Sequence, residues 1–294
     1  MQTLESLQRR MDNVGDLLSI VKTMKTLAVV SIRQYERAVE SLADYNRTVE
    51  LGLQVVMRHG PEEFFPRARD GGGPVGVLIF GSDQGMCGQF NEQIISHTLI
   101  HLAEQDITPA RRLVLSLGSR VAAGLESRDL PATLAWSMPG SIDGITPLIQ
   151  DVVMQIDQWR SRRGVERVIL CYNRPISGAA YRPYNMALLP VHLARFARLK
   201  RQPWLGRTLP TFSMDVERLL SSLLRQYLFV SLFRAFAESL MAENGARLAT
   251  MQAAQRNIEE HLEELTALFH QQRQTAITAE LLDIVAGFEA LTTD

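Results

Sequence analysis

All twelve prolines of the chain lie between Pro61 and Pro210. Proline has no backbone N–H and its ring clashes with the preceding turn of a helix, so a helix interior excludes it. Residues 1–60 and 211–294 are therefore free to form long helices, whereas the middle must contain turns. This placement predicts two terminal helices and one compact central domain.

Both terminal segments contain an apolar repeat in which steps of three and four residues alternate. The first runs from Leu4 to Val56 and the second from Val216 to Phe269, with polar residues at Lys25, Asn46, Arg234, Asn244 and Gln255 as the exceptions. Such a 3.5-residue seam is typical of coiled coils. Because one chain supplies both seams, the pattern predicts an antiparallel pair of helices.

The two predicted helices differ in length. At about 1.5 Å per residue the first spans about 85 Å and the second about 120 Å, so about 35 Å of the second projects beyond its mate. The projecting segment, residues 276–291, is apolar on most sides. A lone apolar helix is poorly stable in water. We expect another protein to cover it; the alternative is a frayed tail.

Composition excludes several classes of protein. A net charge of −1 gives no bulk attraction for nucleic acid, and Cys87 and Cys171 form no CxxC pair, which fits a reducing compartment. The first residues lack the features of a signal peptide, and no apolar run reaches the length that crosses a bilayer. We expect a protein that binds no nucleic acid and does not insert into a bilayer, although it can dock on a membrane complex.

The middle alternates predicted strands and helices. After a linker over residues 61–74, buried strands are predicted at residues 75–80, 112–117 and 167–172, with helices near 91–106 and 145–163. Residues 185–190 are predicted to add an edge strand, because a proline there suits an edge. Residues 75–210 are therefore predicted to form a small α/β layer domain.

The glycine-rich loop from Gly81 to Asn91 follows the first strand. Such a turn can bind phosphate, but the spacing matches neither GxGxxG nor the Walker pattern, so a tight structural turn is favoured. Cys87 is either a reactive or a packing thiol. His97 and His101 lie at helical spacing without a third ligand, and no Gly-x-Ser-x-Gly elbow is present. The sequence predicts no catalytic, cofactor or metal site.

A basic stretch occupies the last part of the central segment. No acidic residue lies between Glu166 and Asp215, and the densest basic part, residues 192–207, also contains Phe196 and Trp204. It is either a contact surface for an anionic partner or a solvated face balanced by acids elsewhere. On the first helix Lys25 occupies a seam position, where a buried amine is costly unless it has a partner.

Three motifs give a family resemblance over the whole chain. Residues 22–28, KTMKTLA, resemble the Lys-x-Met-Lys-Met-Val-Ala segment of the gamma subunit of F-type ATP synthases. Residues 81–91, GSDQGMCGQFN, are similar to that family's GSDRGLCGGFN segment, and residues 277–290 follow its C-terminal signature. The resemblance implies an α/β protein: a long antiparallel coiled coil of the N- and C-terminal helices, the latter from residue 211 with a protruding tip, plus a small Rossmann-like domain.

The resemblance also implies a function. The chain would be the central stalk, which turns in a ring of three alpha and three beta subunits, binds epsilon and the c-ring, and transmits torque between ion flow and ATP synthesis or hydrolysis. It would have no catalytic activity of its own and would lie at the cytoplasmic face of the bacterial inner membrane. The implied contacts with beta are Lys22, Met24, Lys25, Arg273, Gln274, Thr278 and Glu280. The residues implied to turn in an apolar bearing are Ile277, Leu281, Ile284, Val285, Phe288 and Leu291. The implied contacts with the c-ring or epsilon are Arg198, Lys200, Arg201, Trp204 and Arg207.

The chain departs from the family pattern at Gln84, Gln89 and Phe288. These departures raise the hypothesis of a divergent, alternate-type ATP synthase, a group in which some members use sodium instead of protons. Two other classes remain as alternatives. A non-catalytic coiled-coil scaffold or stalk of another machine would share the helices but not the motifs, and a nucleotide-binding enzyme would place its site on the central domain.

Overall fold

The computed structural model describes residues 3–59, 72–191, 204 and 210–292. Its elements, in chain order, are α1 (Leu4–His59), β1 (Val75–Phe80), α2 (Phe90–Glu104), a 3-10 turn (Pro109–Arg111), β2 (Arg112–Leu117), α3 (Ser119–Glu126), β3 (Leu134–Trp136), α4 (Ile145–Arg163), β4 (Arg167–Ser177), β5 (Ala180–Leu189) and α5 (Val216–Thr292). The two terminal helices of 56 and 77 residues are the long helices that the proline distribution predicts.

A five-stranded sheet forms the centre of the fold, in the order β3-β2-β1-β4-β5. The first four strands are parallel, and β5 pairs with β4 as an antiparallel edge strand. The predicted strands and the edge strand are confirmed, and β4 and β5 extend further, into a hairpin. The sequence did not predict α3 or β3, which have only 8 and 3 residues.

Alternate residues of β1 supply two separate apolar cores. Leu78 and Phe80 point to one face, where they pack with α4 and with the middle of α5, while Val77 and Ile79 pack with α2 and α3 on the other. A strand buried on both faces is apolar throughout, which is why β1 has no polar residue. Helices cover both faces of the sheet, as in an α/β layer fold.

The chain divides into two compact units. Unit 1 comprises residues 1–28 and 248–294, and unit 2 comprises residues 29–247. In unit 1, Lys22 and Lys25 of α1 contact Glu259 and Gln255 of α5, so rising numbers on one helix meet falling numbers on the other. In unit 2, the end of α1 packs on the beginning of α5 around Leu53 and Leu220. The antiparallel pairing of the two helices is therefore confirmed.

The predicted seam is also the buried side of α1. Every apolar seam position from Leu4 to Val56 is buried or half-buried, whereas Leu17, Ile20 and Leu27, which lie off the seam, are exposed. Within the described residues no helix has a segment that is long and apolar enough to cross a membrane.

Candidate partner interface

The end of α5 is exposed on all sides. Every described side chain from residue 277 to residue 286 is solvent-exposed, including Ile277 at 48%, Leu281 at 58% and Ile284 at 68%. Val285 is equally open, and so is Leu282, which the sequence analysis did not select. Phe288 and Leu291 continue the helix, but their side chains lie outside the described part. An apolar helix end of this kind requires a partner to cover it.

The polar residues selected next to this end are exposed as well. Arg273, Gln274, Thr278 and Glu280 all lie on the surface of α5. The Thr278 hydroxyl donates a hydrogen bond to the Gln274 carbonyl at 2.9 Å, one turn earlier in the helix. This bond keeps the hydroxyl on the helix, so the Thr278 methyl group faces outward beside the apolar residues.

The α1 residues selected as contacts divide into inward and outward groups. Lys25 is part-buried, and its Nζ donates to Oε1 of Gln255 at 2.7 Å, which supplies the partner that a buried amine needs. Gln255 in turn donates to Glu259 at 2.9 Å, and Lys22 Nζ lies 3.6 Å from the same carboxylate. Lys25 and Gln255, both exceptions to the apolar seams, therefore satisfy each other. Lys22 remains half-exposed and faces outward.

The glycine-rich loop after β1 is held by its own polar side chains. Asp83 accepts the backbone N–H of Ser119 and that of Met138, both at 2.7 Å, and so joins the loop to the start of α3 and to the segment after β3. Asn91 accepts the N–H of Ser82 at 2.9 Å and donates to its hydroxyl at 2.8 Å. The Ser82 N–H and the Asp83 and Asn91 side chains are therefore engaged within the chain.

The helix α5 covers the place where a nucleotide would bind. In parallel sheets of this type ligands bind beyond the carboxyl ends of the strands, where the strand order reverses, and here that point lies between β1 and β4. Ala242 and Ala246 of α5 pack there against Cys87 and Phe90. The described geometry favours the structural interpretation of the loop over nucleotide binding.

Two buried ionisable groups lie in this packed region. Burial raises the pKa of the Glu243 carboxyl, although Arg247, whose Nη2 lies 2.6 Å away, opposes the rise. Arg247 also donates to the Gln84 carbonyl of the loop at 3.5 Å. Burial likewise raises the pKa of the Cys87 thiol, which makes it a poor nucleophile and favours the packing role.

The remaining selected residues are separate from these contacts. Trp204 lines an apolar cavity of about 310 Å³ between α1 and the beginning of α5, together with Leu51, Gly52, Phe212 and Leu223 among others. Arg198, Lys200, Arg201 and Arg207 lie outside the described residues. His97 and His101 lie on α2, and the described part of the chain contains no group of three or more residues suited to hold a metal ion.

Sequence reasoning missed one exposed surface on α1. Leu17, Ile20 and Leu27 are 53%, 55% and 61% exposed, and they lie near Lys22 on the helix. The signal was present in the sequence, because these apolar residues occupy positions outside the seam.

Comparison with known proteins gives consistent relatives. A family model described as ATP synthase matches residues 3–291. The ATP synthase gamma chain of Syntrophus aciditrophicus (strain SB) is 29% identical over 303 residues, which cover 99% of this chain and 99% of that protein. The gamma chain of Salinibacter ruber is 28% identical with the same coverage of both chains. Among solved structures, the rotor of the Euglena gracilis mitochondrial ATP synthase aligns with a TM-score of 0.62 at 12% identity and covers 93% of this chain and 98% of that chain, which establishes a shared fold.

Proposed function

Because this chain belongs to the gamma family of ATP synthases, we propose that it is the central stalk of an F-type ATP synthase. It turns inside a ring of three alpha and three beta subunits and transmits torque between ion flow through the membrane c-ring and ATP synthesis or hydrolysis at beta. The observation that carries this proposal is the exposed apolar segment of α5 from Ile277 to Val285. The chain is a non-catalytic subunit of the enzyme, peripheral to the cytoplasmic face of a bacterial inner membrane.

The end of α5 turns in an apolar bearing formed by the ring. Ile277, Leu281, Ile284 and Val285 face that bearing, and Phe288 and Leu291 continue it. Full burial of an aliphatic side chain stabilises a complex by about 1.5–3 kcal/mol. Leu281, Ile284 and Val285 are each a little more than half exposed, so their burial in the bearing contributes about 3–5 kcal/mol together. Because apolar contact has no preferred direction, such a bearing holds the helix without locking its rotation.

Charged and polar residues supply the directional contacts with beta. Arg273, Gln274, Thr278 and Glu280 meet a beta loop next to the bearing, and Lys22 and Met24 meet acidic loops of beta further along the shaft. Lys25 acts differently, since its amine is bonded to Gln255. Its role is to fix the pairing of α1 with α5 and to add positive charge beneath the contact of Lys22.

The asymmetry of the shaft couples its rotation to the conformations of the beta subunits. As the shaft turns, each beta subunit meets a different set of these side chains, and the contact free energies shift its population between open and closed conformations. The nucleotide chemistry belongs to beta. The ion path belongs to the c-ring, and the basic stretch with Trp204 contacts the c-ring or epsilon.

The test is co-expression with the alpha and beta subunits of the same organism, followed by size measurement and ATPase assay. We expect a complex with one copy of this chain and an ATPase rate that depends on it. Substituting serine at Leu281, Ile284 and Val285 is expected to weaken association by about a hundredfold to about four thousandfold, from the free energy above. Ile100→Ser, at an exposed apolar position on α2, is the matched control and leaves association unchanged.

The outcomes separate the alternatives. If the wild-type chain does not associate with the ring, a coiled-coil scaffold becomes the better description. If it associates and the serine variant binds equally well, the proposed central-stalk function is retained, but the proposed apolar bearing is refuted. The hypothesis of a divergent sodium-type enzyme is tested separately, by whether ATP hydrolysis in membrane vesicles drives sodium or proton uptake.

A further inference from the structure

Three side chains from α5 and β4 meet at the buried carboxylate of Glu238. The Tyr172 hydroxyl donates to Oε2 of Glu238 at 3.0 Å, and Nε of Arg174 lies 3.5 Å from the same oxygen. Nε of Arg234, one helical turn before Glu238, lies 3.7 Å from Oε1. Glu238 is only 6% exposed. We name these residues (Tyr172, Arg174, Arg234 and Glu238) the Glu238 junction.

The junction joins the sheet to the long helix at a defined place. Tyr172 and Arg174 are two residues apart on β4, so their side chains lie on the same face of the sheet, towards α5. Around them the contact is apolar: Phe236 packs edge-on against Phe80 of β1, with ring centroids 4.8 Å apart. Burial, together with the Glu238 carboxylate, raises the pKa of the Tyr172 phenol, which therefore remains a hydrogen-bond donor.

The polar contacts restrict the rotation of α5 on the sheet, which the apolar contacts oppose only weakly. Apolar burial depends on area and is insensitive to direction, so it holds α5 on the sheet but only weakly opposes small rotations of the helix about its axis. Hydrogen bonds weaken steeply when their distance and angle change, and the energy of an ion pair falls as the two charges separate. A carboxylate held from β4 by a hydroxyl and a guanidinium therefore fixes both the axial position and the rotation of α5 at Glu238.

We propose that the Glu238 junction is a torque-bearing joint, in which Glu238 and Tyr172 act as positioning residues that prevent α5 from twisting against the sheet. This inference rests on the proposed function, because torque must pass between the sheet-containing unit and α5. Loss of the junction makes the joint compliant. The nucleotide sites on beta are unchanged by it.

The experiment measures angular fluctuation in the assembled alpha–beta complex. A bead is attached to the sheet-containing unit through Asp151→Cys on the exposed surface of α4. This chain is labelled before assembly with alpha and beta, and its own cysteines, Cys87 and Cys171, are both buried. Tyr172→Phe keeps the ring and the buried carboxylate but removes the donated bond. The expected result is a larger variance of the bead angle in the stalled complex, with an unchanged ATPase rate at low load. Asp157→Asn removes an exposed ion pair with Arg160 on α4 and is the control that leaves the variance unchanged.

Each outcome decides the inference. A Tyr172→Phe complex that assembles, hydrolyses ATP and fluctuates like wild type overturns the joint. A fall in ATPase rate in parallel with a fall in thermal midpoint indicates a general structural role and also overturns it. Glu238→Gln provides the second variant and is expected to increase the variance at least as much. Failure of the wild-type chain to join the ring is a different result, since it refutes the proposed function before the joint is tested.

Discussion

Gly118 provides a quantitative test of how the loop after β1 is built. It follows β2 with φ +114° and ψ 132°, a conformation that L-residues rarely adopt, and a Cβ there would lie 2.8 Å from backbone atoms of Ser82. The strained backbone costs about 1–3 kcal/mol. A side chain forced into a packed site costs about 1–3 kcal/mol more, so Gly118→Ala is expected to destabilise unit 2 by about 2–6 kcal/mol.

Two other glycines separate the cost of backbone strain from the cost of the steric clash. Gly164 ends α4 with φ +66°, but no atom lies within 4 Å of an added Cβ, so Gly164→Ala has the strain without the clash. It is expected to cost about 1–2 kcal/mol. Gly140 has neither a positive φ nor a neighbour within 4 Å, and alanine there should change stability by less than about 1 kcal/mol.

Urea unfolding followed by tryptophan fluorescence measures the series. All three tryptophans belong to unit 2, so their signal reports on the sheet-containing part. The expected order of stability is Gly140→Ala, then Gly164→Ala, then Gly118→Ala. If Gly118→Ala costs no more than Gly164→Ala, the close approach of the two loops does not constrain the fold, and the argument fails.

Three further predictions each concern a single residue. Asp83→Ala removes the acceptor of two backbone N–H groups, and urea titration is expected to show a loss of about 1.5–3 kcal/mol; an unchanged midpoint would exclude this anchoring role. Leu282→Ser, at a side chain 63% exposed, should change the stability of the isolated chain by less than about 0.5 kcal/mol, and a larger loss would mean that α5 is covered within the chain. The raised pKa of Glu243 favours its protonated form in the folded chain, so this contribution is complete below its ordinary value of 4.5 and is lost as pH rises through the raised pKa. The stability of wild type relative to Glu243→Gln should therefore fall from acid to neutral pH, and a difference that rises or stays constant in urea titrations would contradict this.

The long helices and their pairing could be predicted because their signals are local and repeated many times. The absence of proline and the long apolar repeats, which five polar residues interrupt, point to the same pair of helices over more than a hundred residues. The bond between Lys25 and Gln255 was not predicted, since it joins residues 230 positions apart. Each was visible separately as an exception in its own seam, and only the register of the helix pair joins them.

Short elements and buried polar contacts were harder to predict for a related reason. The helix α3 contains about two turns and β3 only three residues, so neither contains enough periods for a pattern. Glu238 gave no signal because its partners, Tyr172 and Arg174, lie on another element and are determined by tertiary packing. The exposed end of α5 could be predicted from sequence, whereas its contacts with beta depend on a partner outside the chain.

The burial of α5 changes along its length. From residue 235 to residue 247 nearly every side chain is buried, whereas beyond residue 252 exposed positions recur in every turn. A helix that packs on one mate needs one apolar stripe, but between residues 235 and 247 α5 packs on the sheet as well as on α1, so nearly all of its circumference is enclosed there. Polar residues at such positions are tolerated only with specific partners, as Glu238 has in Tyr172 and Glu243 has in Arg247. These buried carboxylates lie in the stretch where the long helix packs on the sheet as well as on its mate.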